Sequence, residues 1–200
     1  MHTTHRFIGS STREVWIIAA VVTQSLFAFS KSVALPTEGV IAAGQASITT
    51  PSATSMQIGQ ESKHAIINWN SFGIGKGEAL IITQPTNQST LLNRVLSNNP
   101  SSIFGTLQAN GRVFLVNPHG MIFAPGASIN VGGLVASTLP INDTDFLSEK
   151  YSFLRTGATT ASLTNQGLLN GGFVALLGND ISNSGTIVTT KGSAGLAAGG

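Results

Sequence analysis

The chain has 200 residues and a formal net charge of +2; 9% of its residues are charged and 42% are hydrophobic. This much hydrophobicity with so few charges excludes an intrinsically disordered chain. The charge excess lies in residues 1–34, and residues 35–200 carry seven charges of each sign, which excludes the basic surface of a nucleic-acid-binding protein. The 23 glycines indicate a β-rich domain with many tight turns.

The first 34 residues have the layout of a secretory signal peptide. Arg6 and Arg13 precede an apolar stretch at residues 15–29, and small residues follow it up to Ala34. This order predicts export through the Sec machinery and cleavage between Ala34 and Leu35. The alternative is an uncleaved anchor, for which the apolar stretch is short because a membrane span needs about 20 residues. The chain contains no cysteine, so disulfides do not stabilise the exported part.

Short apolar runs separated by Gly, Asn or Ser-Thr residues follow, which is the pattern of strands and turns. The runs lie at residues 65–67, 79–82, 113–116, 121–124, 133–136 and 173–177. Residues 140–160 break the pattern, since they hold three of the seven acidic residues after position 34 and the only tyrosine. We therefore interpret residues 140–160 as an excursion from a regular arrangement.

A repeat indicates what that arrangement is. Residues 163–167 (LTNQG) and 181–185 (ISNSG) share the pattern apolar-x-Asn-x-Gly at a spacing of 18 residues, and Asn130 lies in a looser copy. Such a period is typical of the coils of a parallel β-helix, in which equivalent asparagines stack and their side-chain amides form a ladder. On pattern alone, a β-sandwich remains the alternative.

Sites for chemistry are sparse, and the sequence predicts no catalytic, cofactor or metal site. His64 and His119, the only histidines after residue 34, have no carboxylates at metal-ligand spacing. The Asp-x-Asp pair at 143–145 could hold a calcium ion, but we interpret it as a solvated loop. Two Asn-x-Ser/Thr words are candidate glycosylation sites, Asn87 and Asn142.

Four segments, in order along the chain, resemble one family. They are HAIINWNSFGIG at residues 64–75, LNRV at 92–95, GTLQANGRVFLVNPHGM at 105–121 and GLVAST at 133–138. Together they resemble the N-terminal secretion domain of two-partner-secretion exoproteins of the filamentous-haemagglutinin type, in particular the high-molecular-weight adhesin branch. The resemblance covers roughly residues 36–200.

The resemblance implies an all-β fold, a right-handed parallel β-helix with an N-terminal cap and extra-helical strands, over residues 35–200. It also implies a partner, an outer-membrane β-barrel transporter whose periplasmic domains recognise the secretion domain. The protein would then be exported by a Gram-negative bacterium and be secreted or held at the cell surface. No nucleic-acid partner and no cofactor are implied.

Two words supply the candidate recognition residues. The family word Asn-Pro-Asn-Gly-Ile stands here as NPHGM at residues 117–121, and the family's Asn-Pro-Asn-Leu word is absent. Asn, Pro and Gly at these positions spell a type I turn, so a rigid corner and a transporter contact both remain open. For the NWNSF word at residues 68–72, two roles remain open: its aromatic side chains either pack in the interior or form an exposed docking face. The candidates are Asn68, Trp69, Asn70, Phe72, Asn117, Pro118, His119, Gly120 and Met121.

Three function classes follow. The first is a non-enzymatic domain that targets a large surface adhesin for secretion and nucleates its folding, with host-cell surface or glycan binding by regions beyond residue 200. The second is the same domain at the head of a contact-dependent growth-inhibition toxin. The third is a polysaccharide-active β-helix enzyme, which the lack of an acidic cluster disfavours.

Overall fold

The computed structural model describes residues 35–154, 161–190 and 192–198, so the predicted signal peptide with Ala34 lies outside the described residues. Nearly every regular element is a strand. The elements are β1 Val40–Ala43, β2 Ala46–Ser52, β3 Ser55–Gln60, β4 His64–Trp69, β5 Ala79–Thr83, β6 Thr90–Val95, β7 Ser101–Ile103, β8 Thr106–Ala109, β9 Arg112–Val116, β10 Met121–Phe123, β11 Ser128–Val131, β12 Gly133–Ser137, α1 Asp143–Leu147, β13 Ser162–Asn165, β14 Leu168–Gly171, β15 Val174–Gly178, β16 Asp180–Asn183, β17 Thr186–Thr189 and β18 Ala194–Ala198.

The strands wind into about six stacked coils with three sheets, which are parallel apart from β1 and β2. Sheet I has the order β1-β4-β6-β9-β12-β15-β18, sheet II the order β2-β3-β5-β8-β11-β14-β17, and sheet III the order β7-β10-β13-β16. Each coil contributes one strand to sheet II, then one to sheet I, and then passes to sheet III. The predicted all-β parallel β-helix is confirmed.

Inward side chains stack on their equivalents in the next coil. In sheet II, Leu80 pairs with Leu107, Leu107 with Ile129, and Ile129 with Leu169. All four are at most 1% exposed. A single coil cannot bury these side chains alone, so the core forms only as neighbouring coils cover one another.

The 18-residue repeat marks true coil equivalents. Asn165 pairs with Asn183, and the Asn165 Nδ2 donates to the Asn183 Oδ1 at 2.8 Å, so the predicted amide ladder is observed. The assignment of Asn130 to the same row is wrong. Asn130 lies in sheet II, where it pairs with Asn170. The spacing between Asn130 and Asn165 does not correspond to whole coils, because the excursion between them lengthens that coil.

The first coil is covered by an antiparallel cap. Strand β1 runs antiparallel to β4, and β2 runs antiparallel to β3. Leu35, the first described residue, is 3% exposed and belongs to the main core. The backbone of Gly39 lies against the indole of Trp69, where an added Cβ would stand 2.4 Å from a ring carbon. The cap is therefore packed on the aromatic side chain that ends β4.

We expect Gly39→Ala to displace the Trp69 indole and to raise its exposure, because nothing larger than a hydrogen atom fits between the Gly39 Cα and the ring. Trp69 is the only tryptophan after residue 34, so its emission reports on the cap alone. The expected result is a red-shifted fluorescence maximum with an earlier unfolding midpoint. Gly195→Ala is the matched control, since a Cβ there meets no atom within 4 Å and the backbone is not in the positive-φ region. An unchanged maximum in Gly39→Ala would contradict this packing.

Between β12 and β13 the chain leaves the coil and returns over the outer face of sheet I. Helix α1 begins after Asn142, whose side-chain oxygen accepts a hydrogen bond from the backbone N–H of Thr144. The segment covers a second apolar cluster on the outer face, separate from the main core. The cluster contains Ile66, Leu92, Phe114, Val116, Val135, Ile141 and Phe146. Residues 155–160 of the excursion lie outside the described residues.

Candidate recognition site

The two family words lie at the same corner of the solenoid, where each coil passes from sheet I to sheet III. The first word occupies this corner in the first coil, after β4, and the second occupies it in the third coil, between β9 and β10. Residues 96–100 form the corner of the second coil and lie between the two words. We call residues 70–73, 96–100 and 117–120 the motif corner.

The second word forms the predicted turn. The backbone N–H of Gly120 donates to the Asn117 carbonyl at 3.1 Å, and the N–H of His119 donates to the Asn117 Oδ1 at 2.9 Å. Gly120 has a φ of +102°, a conformation that an L side chain rarely adopts. Asn117 and Gly120 therefore fix the backbone of this corner, and position 119 tolerates the histidine.

Asn117 also connects three coils. Its side chain is fully buried, and its Nδ2 donates to the Asn99 carbonyl at 3.0 Å and to the Ser101 Oγ at 2.9 Å in the second coil. Its backbone N–H donates to the Ser137 carbonyl in the fourth coil at 2.9 Å. These bonds occupy the amide inside the protein, so in the folded domain the side chain serves the corner.

The outward residues of this word are Pro118, which is half-buried, and His119, which is exposed. Met121 points into the core and is 3% exposed. Beside the turn lies a groove of about 700 Å³. Its lining contains Pro100, Ser102, Pro118, His119, Gly120, Met121, Ile122, Ala161, Ser162 and Thr164. Apart from His119, the lining holds no titratable side chain.

The aromatic residues of the first word are buried. Trp69 is 1% and Phe72 is 2% exposed, and their rings pack edge to face with centroids 5.9 Å apart. The Trp69 Nε1 donates to the Oδ1 of Asn93, a buried asparagine in β6. In the folded state these rings support the cap, and Asn70 is the exposed member of the word. Its contact with a transporter remains a prediction.

Arg94 joins the first word to the excursion and was not among the sequence candidates. Its Nη1 donates to the Asn68 Oδ1 at 3.3 Å, and its Nη2 donates to the Ile141 carbonyl at 3.0 Å and pairs with Asp143. The sequence signal was the LNRV word, in which the arginine stands among apolar residues of a strand. Residues 96–100 were also missed, because nothing in their composition distinguishes them from an ordinary turn.

A second link ties the excursion to the first coil. The Lys63 Nζ donates to the Glu149 Oε1, and the His64 Nε2 lies 3.1 Å from the same oxygen. The hydrogen bond and the positive charge of Lys63 lower the pKa of Glu149 below its ordinary value of 4.5. The ionised carboxylate is the form that holds the excursion at this point.

This link is expected to weaken in acid. A carboxyl group whose pKa is lowered by folding stabilises the folded state above its unfolded pKa, here about 4.5, and loses that contribution as pH falls further. Proteolysis within residues 140–154 should therefore accelerate below about pH 4.5 when measured with an acid-active protease. Glu149→Gln should show the fast rate already above this pH, within the working range of the same protease, and should lose the difference between the two sides of pH 4.5. A wild-type rate that does not change across this range would contradict the link.

The candidate glycosylation sites have different surroundings. Asn87 is exposed, but Ser89 of its word is 1% exposed and its hydroxyl accepts a hydrogen bond from the Thr86 N–H. Asn142 is exposed at the start of α1. Modification of either remains a prediction.

Two further findings concern the described ranges 35–154, 161–190 and 192–198. Within them, no group of three or more His, Asp or Glu side chains is placed to hold a metal ion. No helix there has the length and apolar character needed to cross a membrane.

Comparison with known proteins gives relatives and structural neighbours. Two heme/hemopexin-binding proteins of Haemophilus influenzae are 41% and 38% identical over 112 and 122 residues, which are 56% and 61% of this chain. The aligned parts are 12% and 13% of those proteins, so the chain spans a small fraction of their length. The HMW1 secretion domain from Haemophilus influenzae superposes with a TM-score of 0.79 and 34% identity, covering 82% of this chain and 45% of that one.

The filamentous hemagglutinin secretion domain has the same fold, with a TM-score of 0.54 and 14% identity over 80% of this chain and 63% of that one. The family model of the TPS secretion domain, where TPS is two-partner secretion, matches residues 33–200. Domains of this family are recognised by a partner transporter, and their exoproteins are secreted by Gram-negative bacteria. They are not enzymes, so the non-enzymatic prediction is confirmed. The chain belongs to the TPS secretion domain family.

Proposed function

We propose that residues 35–200 target an exoprotein to the periplasmic domains of one dedicated outer-membrane transporter and then nucleate its folding outside the cell. The observation that carries this proposal is the polarity of the solenoid. At one end the edge strands β1 and β2 run antiparallel to the coil strands that they cover, whereas at the other end β16, β17 and β18 pair in parallel with the preceding coil. A further parallel coil would therefore continue the pattern at the second end, and the cap interrupts it at the first.

This polarity supplies a direction for transport. Each added coil buries apolar side chains against the preceding one, so the folding free energy grows stepwise along the chain. The periplasm offers no nucleotide hydrolysis, and folding on the outer side of the membrane can instead prevent the chain from sliding back. The buried Trp69 and Phe72 beneath the cap support the first of these steps.

The route starts with Sec-dependent export, cleavage between Ala34 and Leu35, and passage across the periplasm. The burial of Leu35 supports this boundary, because the compact domain includes the residue that cleavage would expose as the new N-terminus. We propose an adhesin role at the cell surface for the exoprotein. The heme/hemopexin binding of the relatives belongs to those whole proteins.

The test is secretion with and without the partner transporter. When the transporter is produced together with the chain, the product should reach the medium or the cell surface and begin at Leu35. Without the transporter, it should accumulate in the periplasm with the same N-terminus. Equal secretion in both strains would overturn transporter-dependent targeting, and a product that retains residues 1–34 would overturn the processing step.

A further inference from the structure

One exposed leucine stands between the two family words. Leu96 follows β6, and its exposure is 62%. Its backbone N–H donates to the Trp69 carbonyl at 2.9 Å, so the first coil holds it in place. Single exposed leucines are common on protein surfaces and need no explanation by themselves. The position of Leu96, at the centre of the motif corner, is what gives it significance.

The motif corner itself is uncharged, and the nearby charge of Arg94 in β6 is paired with Asp143. The three segments of the motif corner, at residues 70–73, 96–100 and 117–120, contain no Asp, Glu, Lys or Arg. Asn98 and Pro100 of the second coil are exposed, and Asn70 and His119 are the exposed residues of the neighbouring coils. A partner that reads this surface therefore gains little from long-range charge attraction and must rely on apolar contact, shape and hydrogen bonds.

The corner is also rigid. The Asn99 carbonyl accepts from the Asn117 Nδ2, and Gly120 accepts at its carbonyl from the Ser101 N–H at 3.0 Å. Side chains displayed on such a backbone lose little conformational entropy when a partner binds, which favours binding through a small apolar anchor. The groove beside Pro118 continues this surface towards sheet III.

We propose that Leu96 is the apolar anchor by which the motif corner docks on an uncharged, apolar site in the periplasmic part of the partner transporter. The inference rests on the proposed function, because the transporter is the partner that the family supplies. The two family words build the corner from both sides, and the leucine of the coil between them makes the contact. The binding residue thus lies outside both words.

The experiment compares Leu96→Asp with Leu154→Asp in the full chain. Leu154 lies on the excursion and is 60% exposed, so it matches Leu96 in residue type and exposure. We expect Leu96→Asp to weaken binding to the purified periplasmic domains at least tenfold and to reduce the secreted fraction similarly. Circular dichroism and the unfolding midpoint should stay at the wild-type values. Leu154→Asp should bind and be secreted normally, and Leu96→Met should restore most of the binding.

Each other outcome separates the hypotheses. Normal binding of Leu96→Asp would overturn the anchor while transporter-dependent targeting stands. A wild-type domain that does not bind the periplasmic domains would overturn the proposed function itself. If Leu96→Asp unfolds the domain, Asn98→Arg places a charge on the same surface beside an intact leucine, and its normal binding would overturn the proposal. A wild-type dimer that Leu96→Asp dissociates, without loss of transporter binding, would assign the surface to a second copy of the chain.

Discussion

Asn117→Ala is expected to lower the free energy of unfolding by about 2–4 kcal/mol, as buried groups that lose a partner typically cost about 1–3 kcal/mol each. The substitution removes the partner of the buried Ser101 hydroxyl and of the His119 N–H, and it removes the side-chain bonds that join the second coil to the third at this corner. Denaturant unfolding measures the change directly. His119→Asn is the matched control, since it keeps every one of these bonds and should leave the midpoint unchanged.

Adding Gly120→Ala should cost a further 1–3 kcal/mol or so, the usual range for a residue held in a sparsely populated backbone conformation. The φ of +102° disfavours alanine, and the new Cβ would lie 3.1 Å from the Ser162 carbonyl oxygen. The double variant should reach the periplasm with its signal peptide removed but should be secreted poorly. Normal secretion would show that the turn is only a scaffold and that recognition resides elsewhere.

Phe146→Ala is expected to destabilise the domain by about 3–5 kcal/mol, the range for deleting a buried phenylalanine side chain. Phe146 is fully buried, and its ring packs edge to face on Phe114 at 5.3 Å and beside Tyr151 at 6.0 Å. The loss should detach the excursion first. Proteolysis within residues 140–154 should accelerate, and the near-ultraviolet signal of Tyr151 should fall.

The neighbouring residue provides the control. Leu147 lies on the same helix and is 40% exposed, so Leu147→Ala should change stability by no more than about 0.5 kcal/mol. If Phe146→Ala costs as little as Leu147→Ala, the excursion is not part of the cooperative unit. In that case the apolar cluster on sheet I would contribute little to the free energy of unfolding.

The sequence predicted the coil from local signals and missed what depends on coil length. Asn165 and Asn183 sit in identical local patterns, and their stacking could be inferred because the spacing between them is uninterrupted. Asn130 was assigned to the wrong row because the excursion adds residues to the coil, and the turn residues of the sequence do not show how many. The meeting of both family words at one corner escaped for the same reason, since the intervening coils differ in length.

The candidate site was predicted as words, and the structure divides each word into two kinds of residue. Trp69 and Asn117 are chemically distinctive in the sequence, yet both are buried and hold the corner together. Leu96 is an ordinary leucine after an apolar strand, and nothing local indicates that the strand ends just before it. Exposure is decided by the stacking of the coils, which a single sequence does not reveal.

The contact between Lys63 and Glu149 joins residues 86 positions apart, and it has a consequence for the order of events as the chain emerges. On the proposed route, in which the N-terminal coils emerge first, the outer apolar residues of sheet I from Ile66 to Val116 would leave the membrane before Phe146, which covers them. During that interval the incompletely folded domain would expose these apolar side chains, and such a surface is prone to aggregate or to bind chaperones. A transporter that pauses within this stretch would leave its cargo vulnerable to aggregation and proteolysis at the cell's edge. Rapid passage of these few dozen residues would thus protect the product.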